Sequence, residues 1–557
     1  MTATKKFIAA RQFLLTNRNN YAKAYNEFRW PDFTDFNWAR DWFDVYAQNN
    51  HKTALWLHSD VKAESKFSYQ ELAERSDRVA HFLQRQGVEP GDRIVLCLPN
   101  VSAMWELILA AIKVAAVIVP TTTLATESEI RDRLERSGAR MIVTDESAMP
   151  RIAAEAELKR VLVGGQSDGW TSYDAALDES RKYTAVVTQA SDPFLLYFTS
   201  GTTTKSKLVL HTQQSYPVGH LSTMYWIGIQ ENDIHQNISS PGWAKHAWSC
   251  VFAPWNAGAT TFVRDTPRFN TANALRALEE VGVTTLCAPP TVWRMLIRDD
   301  LGTKPHGLCE LASAGEPLNP EVIEQVQKAW GLVIRDGYGQ TETTAIIGNS
   351  PGQAVKTGSM GRPLPGYQIA VLDMNDDECT EGEVAVRLES RPTGLMTGYV
   401  DDPDRTKAAM RNGMYHTGDR AFVDDSGYFY FVGRGDDVFK SSDYRISPFE
   451  LESALMEHPL VAEVAIVPSS DAVRTSVPKA FVTLIADAQP SEQTAREILM
   501  FAKEKLAAYK RVRKLEFSEL PKTISGKIRR AELRKMEARR VSDGQRGALE
   551  FWLADFE

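Results

Sequence analysis

A segment rich in hydroxyl side chains is the part of the sequence whose residue types and spacing most directly suggest chemistry. The segment Thr199-Ser200-Gly201-Thr202-Thr203-Thr204-Lys205-Ser206-Lys207 lies between the apolar runs Phe194-Leu195-Leu196 and Leu208-Val209-Leu210. Gly201 permits a tight turn, and main-chain N–H groups, hydroxyls and lysine cations together suit a polyphosphate. The spacing is not that of the usual P-loop, G-x-x-x-x-G-K-[ST]. Taken alone, such a segment is more often a plain connection.

Further motifs of glycine, polar and charged residues follow at wide intervals. These motifs are Ala314-Gly315-Glu316-Pro317, Tyr338-Gly339-Gln340-Thr341-Glu342-Thr343, Tyr415-His416-Thr417-Gly418-Asp419, Gly433-Arg434-Gly435-Asp436-Asp437 and Pro521-Lys522-Thr523-Ile524-Ser525-Gly526-Lys527. In this order, over about residues 30–540, the chain resembles the adenylate-forming superfamily of acyl-CoA synthetases, luciferases and adenylation domains. It is most similar to the medium-chain acyl-CoA synthetases, through Gly242-Trp243-Ala244-Lys245, Asp336 to Glu342, and Tyr444-Arg445-Ile446.

The resemblance implies an ATP-dependent, AMP-forming acyl-CoA synthetase, which is an acid–thiol ligase. A carboxylate is a poor acyl donor, so attack on the α-phosphate of ATP first gives an acyl-adenylate, from which a thiol displaces AMP; both steps depend on charge stabilisation. ATP, Mg2+ and coenzyme A are the implied cofactors and co-substrates. Two alternatives stay open, namely a stand-alone adenylation enzyme that loads a carrier protein and a nucleotide-binding paralogue without ligase activity.

By the same resemblance, the nucleotide contacts come from several motifs. The β and γ phosphates are assigned to Thr199, Ser200, Gly201, Thr202, Thr203 and Lys207. Thr341 contacts the α-phosphate, and Glu342 binds Mg2+; both count as catalytic residues. The adenine pocket is assigned to Gly315, Glu316, Pro317, Asp336, Gly337 and Tyr338. Asp419 takes the two ribose hydroxyls, assisted by Arg434.

Lys527 is implied as the catalytic residue of the first half-reaction. An ammonium between carboxylate and α-phosphate would neutralise charge in the transition state. Residues 501–540 hold 14 Lys and Arg against 5 Asp and Glu, and only the motif distinguishes Lys527 among them. Asp436 matches the hinge about which the small domain rotates after adenylation. Arg445, after the hinge, is assigned to cofactor binding.

The acid-binding residues are expected at Trp243 and Gly339. Acetate-activating relatives have a tryptophan at the position of Gly339, so glycine predicts a longer acyl pocket, although it also suits a turn. Aromatic walls suit an apolar acid, and medium-chain aliphatic and aromatic acids both stay open. Lys245 and His246 either meet a second polar group on the acid or lie at the surface.

Three residues depart from the family pattern. Thr204 and Ser206 stand where the family usually has Gly and Pro, which narrows the backbone conformations of the loop. Asp443 stands where close relatives often have Gly near the pantetheine channel, which puts the coenzyme A half-reaction in question.

The elements that position these residues read as an α/β fold. Helical spacing over 69–86 is followed by strand-like runs at 93–98, 116–119 and 140–144, an alternation typical of parallel sheets covered by helices. We predict a large N-terminal domain of several subdomains with packed β-sheets, residues 1–435, and a small mobile C-terminal α+β domain, residues 436–557. Ser447, Pro448 and Glu450 predict a capping box.

Composition limits the possible partners and cellular locations of the protein. The 557 residues carry a net charge of −8, which disfavours nucleic acid as a partner. Five scattered cysteines indicate a reducing compartment. No apolar run reaches the ~18–20 residues of a membrane span. The first 26 residues are basic without any acid and form either an amphipathic helix or a transit peptide. The expected location is therefore the cytoplasm, with the mitochondrial matrix as alternative; a homo-oligomer and the role of residues 541–557 are left open.

Overall fold

In the computed structural model, the chain forms an α/β fold, as predicted. The structure describes residues 1–59, 63–153, 157–199, 206–266, 269–441, 444–471, 474–523 and 527–556. Internal contacts divide the chain into two compact units. The first unit is Met1–Ile369 with Val386–Tyr415, and the second is Ala370–Ala385 with His416–Glu557. The domain boundary between residues 435 and 436 stays a prediction.

The helices and strands alternate along most of the chain. The α-helices are α1 (Ala3–Thr16), α2 (Tyr21–Glu27), α3 (Asp44–Ala47), α4 (Tyr69–Arg85), α5 (Ser102–Lys113), α6 (Glu127–Ser137), α7 (Ser215–Gly219), α8 (Leu221–Ile227), α9 (Ala244–Ala247), α10 (Ala253–Ala257), α11 (Thr271–Val281), α12 (Pro290–Arg298), α13 (Pro320–Trp330), α14 (Pro403–Ala409), α15 (Pro448–Met456), α16 (Glu492–Lys505) and α17 (Arg530–Ser542). The strands are β1 (Thr53–Ser59), β2 (Ser65–Ser68), β3 (Arg93–Cys97), β4 (Val117–Pro120), β5 (Met141–Asp145), β6 (Lys159–Val163), β7 (Thr171–Ser172), β8 (Pro193–Thr199), β9 (Lys207–Thr212), β10 (Ile234–Asn237), β11 (Thr260–Asp265), β12 (Thr285–Ala288), β13 (Glu310–Ser313), β14 (Ile334–Gly339), β15 (Ala345–Gly348), β16 (Arg362–Pro363), β17 (Ile369–Leu372), β18 (Glu381–Arg387), β19 (Gly398–Tyr399), β20 (Met410–Arg411), β21 (Met414–Val423), β22 (Phe429–Arg434), β23 (Phe439–Ser441), β24 (Tyr444–Ile446), β25 (Val461–Asp471), β26 (Thr475–Leu484), β27 (Lys514–Phe517) and β28 (Glu550–Trp552).

The first unit contains two large mixed sheets. One has the order β19-β9-β8-β4-β3-β5-β6-β7, and its strands from β8 to β7 run parallel. The other has the order β16-β15-β14-β13-β12-β10-β11-β1-β2, and its strands from β14 to β1 run parallel. Parallel sheets are covered by helices, so their strands are apolar on both faces. Ligands bind such sheets beyond the carboxyl ends of the strands.

Helix α4 shows how the local sequence fixes these elements. Ser68 Oγ accepts a hydrogen bond from Glu71 N at 3.2 Å, and the Glu71 carboxylate accepts one from Ser68 N at 2.7 Å, which closes a capping box. Leu72, Val79 and Leu83 are buried on one face of the helix. The helix ends at Arg85, one residue before the predicted end, and β3, β4 and β5 lie within one residue of the predicted strands.

The basic N-terminal segment is helical and packs into the first unit. Phe7 and Leu14 of α1 are buried. The guanidinium of Arg11 is buried too, and its Nε donates to the main-chain oxygen of Asn256 at 2.6 Å. The amphipathic-helix interpretation therefore describes this segment, with Ile8 on the exposed side.

The second unit contains a four-stranded sheet in the order β25-β26-β27-β28, with β27 parallel to β26. Helices α15 and α16 contribute Leu451, Leu455, Ile498 and Leu499 to the buried core of this unit. The capping box predicted at α15 is half formed. Ser447 Oγ accepts from Glu450 N at 3.2 Å, whereas the Glu450 carboxylate accepts from Lys510 Nζ at 2.5 Å. The lysine cation is the stronger partner for that carboxylate.

No helix among the described residues is long and apolar enough to cross a membrane.

Candidate active site

The carboxyl end of β14 places the first group of predicted site residues. Asp336, Gly337 and Tyr338 lie on this strand in sequence. The indole of Trp226, on α8, packs against Gly337 so closely that a Cβ there would lie 2.2 Å from the ring. Its Nε1 donates to the main-chain oxygen of Asp336 at 3.3 Å. Only glycine at position 337 accommodates this indole, so Trp226 fixes the position of the strand end.

Asp336 is a buried carboxyl group within the first unit. Burial raises its pKa to about 8, against the hydrogen bond that its Oδ1 accepts from Gly337 N at 3.0 Å. The side chain is therefore mostly protonated at neutral pH, and it donates or accepts hydrogen bonds without carrying a full charge.

Glu342 lies in the loop after β14, and its buried carboxylate has two partners. Tyr399 Oη donates to Glu342 Oε1 at 2.9 Å, and Lys207 Nζ lies 3.4 Å from the same oxygen. Burial, reinforced by the Glu342 carboxylate, raises the pKa of Tyr399, so its hydroxyl keeps the proton that it donates. Lys207 Nζ also lies 5.0 Å from the centre of the Tyr399 ring. The structure thus brings together two predicted residues, Glu342 and Lys207, and adds Tyr399.

The hydroxyl-rich segment begins and ends on neighbouring strands. Thr199 is the last residue of β8 and pairs in antiparallel register with Lys207, the first residue of β9. The two ends of the predicted phosphate loop are therefore held side by side. Ser200, Gly201, Thr202, Thr203 and Thr204 lie outside the described residues, so their predicted phosphate contacts stay predictions.

Thr341 is positioned by a histidine that the sequence motifs do not indicate. His211 Nε2 lies 2.7 Å from the main-chain oxygen of Thr341, and its Nδ1 lies 3.0 Å from Ser215 Oγ. Burial lowers the pKa of His211 to about 4, so the ring is neutral at physiological pH. No local signal identifies this residue, since Thr341 follows it by 130 positions.

Gly315, Glu316 and Pro317 follow β13, the strand beside β14. Gly315 adopts φ +107°, a conformation that favours glycine, and a Cβ there would meet no atom within 4 Å. Glu316 Oε2 lies 3.3 Å from Thr291 Oγ1 and 3.5 Å from Arg294 Nη2. These residues lie at the same edge of the sheet as Asp336, as their proposed joint role in an adenine pocket requires.

Gly339 closes β14 against the ring of Trp248. A Cβ at Gly339 would lie 2.2 Å from the main-chain oxygen of Thr344 and 2.7 Å from Trp248 Cη2. The space that a side chain would occupy is thus already filled by the indole and by main chain. Close packing at the end of a strand therefore requires glycine at position 339, and the longer acyl pocket stays a prediction.

Trp243 lies at the wall of an apolar cavity in the first unit. It directly precedes α9. The residue before it, Gly242, adopts φ +92°, and a Cβ at that position would lie 2.4 Å from Thr122 N. The cavity is lined by Leu96, Met104, Ile108, Ile118, Phe194, Trp243, His246 and Phe252 among others. His246 is buried, its Nε2 lies 3.1 Å from Asn100 Oδ1, and burial lowers its pKa to about 3. The surface interpretation of His246 is therefore wrong.

In the second unit, Asp419 and Arg434 form an ion pair. They face each other in the antiparallel register of β21 and β22, with Arg434 Nη1 at 3.2 Å from Asp419 Oδ1. Asp419 is buried within β21, directly after Gly418, which adopts φ +74°. Arg434 Nε also lies 3.6 Å from Asp436, the predicted hinge residue. The structure brings these three predicted residues together.

Lys527, in the second unit, is held through its main chain by Thr523. Thr523 N donates to the main-chain oxygen of Lys527 at 2.8 Å, and Lys527 N donates to Thr523 Oγ1 at 3.1 Å. The side chain is exposed. Ser525 and Gly526 lie outside the described residues. The loop bonds hold the main chain of the lysine while its ammonium projects into solvent.

At least six of the 14 cations in residues 501–540 form ion pairs within the second unit. These cations contact nearby carboxylates in Lys505–Glu457, Lys510–Glu450, Lys522–Glu463, Arg530–Glu452, Arg534–Asp437 and Arg540–Glu516. Arg445 lies exposed on β24, opposite Lys440. Asp443 lies outside the described residues, so its predicted effect on the thiol channel stays a prediction.

Two family models match the chain. The AMP-binding enzyme model matches residues 42–400, and the AMP-binding enzyme C-terminal domain model matches residues 450–527. The chain belongs to the AMP-binding enzyme family. Its α/β fold, a large N-terminal part with several mixed sheets and a C-terminal α+β part, is that of the family, and the resemblance identified from the motifs is confirmed.

Curated members of the family are similar over nearly the whole chain. The 4-hydroxybutyrate–CoA ligase 1 of Metallosphaera sedula is 44% identical over 533 residues, which are 93% of this chain and 94% of that protein. The mitochondrial acyl-coenzyme A synthetase ACSM3 of Rattus norvegicus is 40% identical, over 94% of both chains.

Solved structures of the family have the same fold. An anthranilate CoA ligase in complex with anthranoyl-AMP is similar with a TM-score of 0.80 and 26% identity, over 90% of this chain and 98% of that one. A benzoate CoA ligase from Burkholderia xenovorans is similar with a TM-score of 0.79 and 26% identity, over 90% of this chain and 100% of that one.

Proposed function

We propose that this AMP-binding enzyme is an acid–thiol ligase that joins a medium-chain or aromatic carboxylic acid to coenzyme A. Membership of the family over both matched segments supports this function. The observation that carries it is the contact of Glu342 with Tyr399 and Lys207, which gathers a carboxylate and a cation beside the motif assigned to the phosphates.

The reaction has two steps. A carboxylate oxygen of the acid attacks the α-phosphorus of ATP, and the bond to the β-phosphate oxygen breaks with release of pyrophosphate. The thiolate of coenzyme A then attacks the carbonyl carbon of the acyl-adenylate, and the C–O bond to AMP breaks. Neither step requires a protein nucleophile, so the protein contributes positioning and charge stabilisation.

In the first unit, Thr341 and Lys207 act on the phosphates. We assign the α-phosphate to Thr341, whose main chain is held by His211. We assign binding of the β and γ phosphates to Lys207 and to residues 199–203. Gly315, Glu316 and Pro317, with Asp336, Gly337 and Tyr338, form the adenine pocket at the carboxyl ends of β13 and β14.

Glu342 suits Mg2+. Magnesium in nucleotide sites is bound by one or two carboxylates together with substrate phosphates and water. Glu342 supplies one buried carboxylate, and the two partners of its Oε1 are a hydroxyl and an ammonium, both of them donors. When bound, the ion neutralises charge on the phosphate oxygens. Tyr399 keeps the carboxylate of Glu342 in one orientation.

In the second unit, we assign the ribose hydroxyls to Asp419, because a carboxylate accepts two hydrogen bonds. Arg434 holds that carboxylate at 3.2 Å. The ammonium of Lys527 neutralises charge in the adenylation step, Asp436 acts as hinge, and Arg445 takes part in cofactor binding. The support for these roles is the position of each residue in its motif and the membership of the chain in the family.

The acid is apolar over part of its length. The cavity beside Trp243 is lined almost wholly by aliphatic and aromatic side chains, and such walls suit an aliphatic chain or an aromatic ring. Relatives named for 4-hydroxybutyrate, benzoate and anthranilate place short, polar and aromatic acids in the same family. The panel that tests the function therefore includes all of these.

The test is release of pyrophosphate with ATP, Mg2+ and a panel of acids, with and without coenzyme A. The panel holds aliphatic acids from acetate to dodecanoate, 4-hydroxybutyrate, benzoate and anthranilate. We expect acid-dependent release and an acyl-CoA thioester when coenzyme A is present. Pyrophosphate without any thioester would point to a carrier-protein thiol instead.

Two variants accompany this assay, one that should abolish activity and one matched control. Glu342→Gln removes the carboxylate charge and should abolish acid-dependent release. Glu324→Gln, on the exposed face of α13, removes an equal charge at the surface and should leave it unchanged. Absence of release with every acid, in a protein that melts cooperatively, would contradict the proposed function.

A further inference from the structure

Lys245 lies on α9 and shares a helix face with Trp248. The two residues are three positions apart in a continuous helical segment, and residues at that spacing are neighbours on one face. Trp248 packs against Gly339 at the end of β14. Lys245 therefore lies on the side of α9 that faces the end of this strand, whereas His246 faces the apolar cavity.

The ammonium of Lys245 is buried and has no hydrogen-bond partner among the described residues. Burial lowers the pKa of Lys245, and the nearby Cys287 and Glu316 oppose that shift. An unpaired buried cation is strongly unfavourable because it loses its hydration, and proteins retain one only where a partner compensates. A bound ligand that presents an oxygen to Nζ would supply that partner.

Two further polar atoms, both at carboxyl strand ends of the sheet that contains β14, also lack a partner within the described part of the chain. Asn237 Oδ1, at the carboxyl end of β10, and Ser313 Oγ, at the carboxyl end of β13, are buried without a hydrogen bond. Asn237 Nδ2 donates to the main-chain oxygen of Lys245 at 3.3 Å, which ties this strand end to α9. These strands are part of the parallel stretch whose carboxyl edge is the usual ligand side.

We infer that Lys245 determines specificity for an acid that carries a neutral oxygen, a hydroxyl or a carbonyl, remote from its carboxylate. This inference rests on the proposed function and names the substrate class of the same site. The ammonium donates to the remote oxygen, whereas an unsubstituted chain leaves it unpaired. A neutral oxygen is favoured over a second carboxylate because Glu316 already presents a negative charge to Lys245.

The test compares matched pairs of acids in ATP–pyrophosphate exchange. The pairs are 4-hydroxybutyrate with butyrate and 6-hydroxyhexanoate with hexanoate. In the native protein we expect the hydroxy acid of at least one pair to have the higher kcat/KM. Lys245→Met keeps the length of the side chain but removes its donors, and should lower the ratio of hydroxy to plain acid about 10- to 100-fold.

Two variants separate specificity from damage to the fold. Lys245→Gln keeps a donor and should retain part of the ratio. Lys328→Met makes the same type of change on the exposed face of α13 and should leave the ratio unchanged.

An equal fall for both acids of a pair would overturn the inference, because Lys245 would then act on the shared carboxylate or on folding. An unchanged ratio would overturn it as well. Exchange with plain acids in the native protein would still support the ligase. If none of the acids supported exchange, the proposed function itself would be contradicted.

Discussion

His211 Nε2 donates a hydrogen bond to the main-chain oxygen of Thr341 over 2.7 Å. The direction follows from chemistry, since a carbonyl oxygen only accepts, so the proton of the neutral ring is on Nε2. Nδ1 then accepts from Ser215 Oγ, which itself accepts from Thr212 N at 2.8 Å. His211 lies on β9, so this one hydrogen bond connects the strand to the residue assigned to the α-phosphate, and the two bonds of Ser215 fix the ring.

Loss of this bond should weaken the use of ATP. His211→Phe keeps an aromatic ring but leaves the Thr341 oxygen without its donor, and we expect kcat/KM for ATP to fall about 10-fold or more. His211→Gln places an amide donor where Nε2 lies and should recover much of the loss. The measurement is steady-state kinetics with saturating acid. Equal defects in both variants would show that the imidazole acts by volume rather than by donating.

Lys527 should be required for one half-reaction only. Lys527→Ala removes the ammonium assigned to the adenylation step, and we expect pyrophosphate release to fall about 100-fold or more. Thioester formation from preformed acyl-AMP and coenzyme A should continue, because that step does not use this cation. Lys535→Ala, also exposed and eight residues further on, is the matched control. Equal loss of both half-reactions would contradict the assignment of the hinge at Asp436.

The sequence alone predicts the elements whose signals are local. Apolar spacing and turn residues predict helix α4 and strands β3, β4 and β5, and the structure has them within one residue. The motifs predict that Asp419 and Arg434 act together, and the two residues form an ion pair. Short motifs carry these predictions because each contains the turn or the strand end that positions its own residues.

Contacts between distant segments were not predictable in this way. Trp226 fills the space beside Gly337, and Tyr399 bonds to Glu342 across 57 residues of sequence. Neither Trp226 nor Tyr399 lies in a motif. The spacing of apolar residues predicts which face of a helix or strand is buried, but not which other element packs against that face. The same limit explains His246, whose ring contacts Asn100 across 146 residues of sequence.

Asp336 makes the free energy of unfolding depend on pH in a specific way. Its pKa is raised to about 8 by burial in the folded protein, whereas an unfolded aspartate has a pKa near 3.9. Between these values the unfolded chain releases a proton that the folded protein keeps. The contribution of Asp336 to stability is therefore full below about pH 4, falls as the pH rises, and levels off above pH 8.

Asp336→Asn should remove this dependence. The amide cannot ionise, so we expect the stability of the variant, relative to the native protein, to rise steadily from pH 4 to pH 8. Denaturant midpoints measured at several pH values give the comparison. Glu324→Gln, an exposed acid on α13, should show no such trend. A constant difference between Asp336→Asn and the native protein would show that the carboxyl ionises normally in the fold.

Lys479 holds the sheet of the second unit to its last helix and last strand. Its side chain is fully buried, and Nζ lies 2.9 Å from Glu516, 2.6 Å from Glu537 and 2.8 Å from Glu550. Burial alone would lower the pKa of Lys479, but the three carboxylates raise it overall. These acids belong to β27, α17 and β28, so one ammonium neutralises carboxylates from three elements.

Lys479→Met should therefore destabilise the second unit strongly. Removal of the cation leaves three carboxylates close together. Arg540 contacts Glu516 at 2.6 Å, and Lys514 lies close enough to interact with Glu537 and Glu550, but neither replaces the central ammonium. Breaking a buried ion pair costs about 3–5 kcal/mol. We expect faster amide hydrogen exchange in β26, β27 and β28 of the full chain. Lys505→Met removes a solvent-exposed partner of Glu457 and should change exchange little, since such pairs contribute about 1 kcal/mol or less. Equal effects of the two variants would mean that the buried carboxylates find other partners or take up protons.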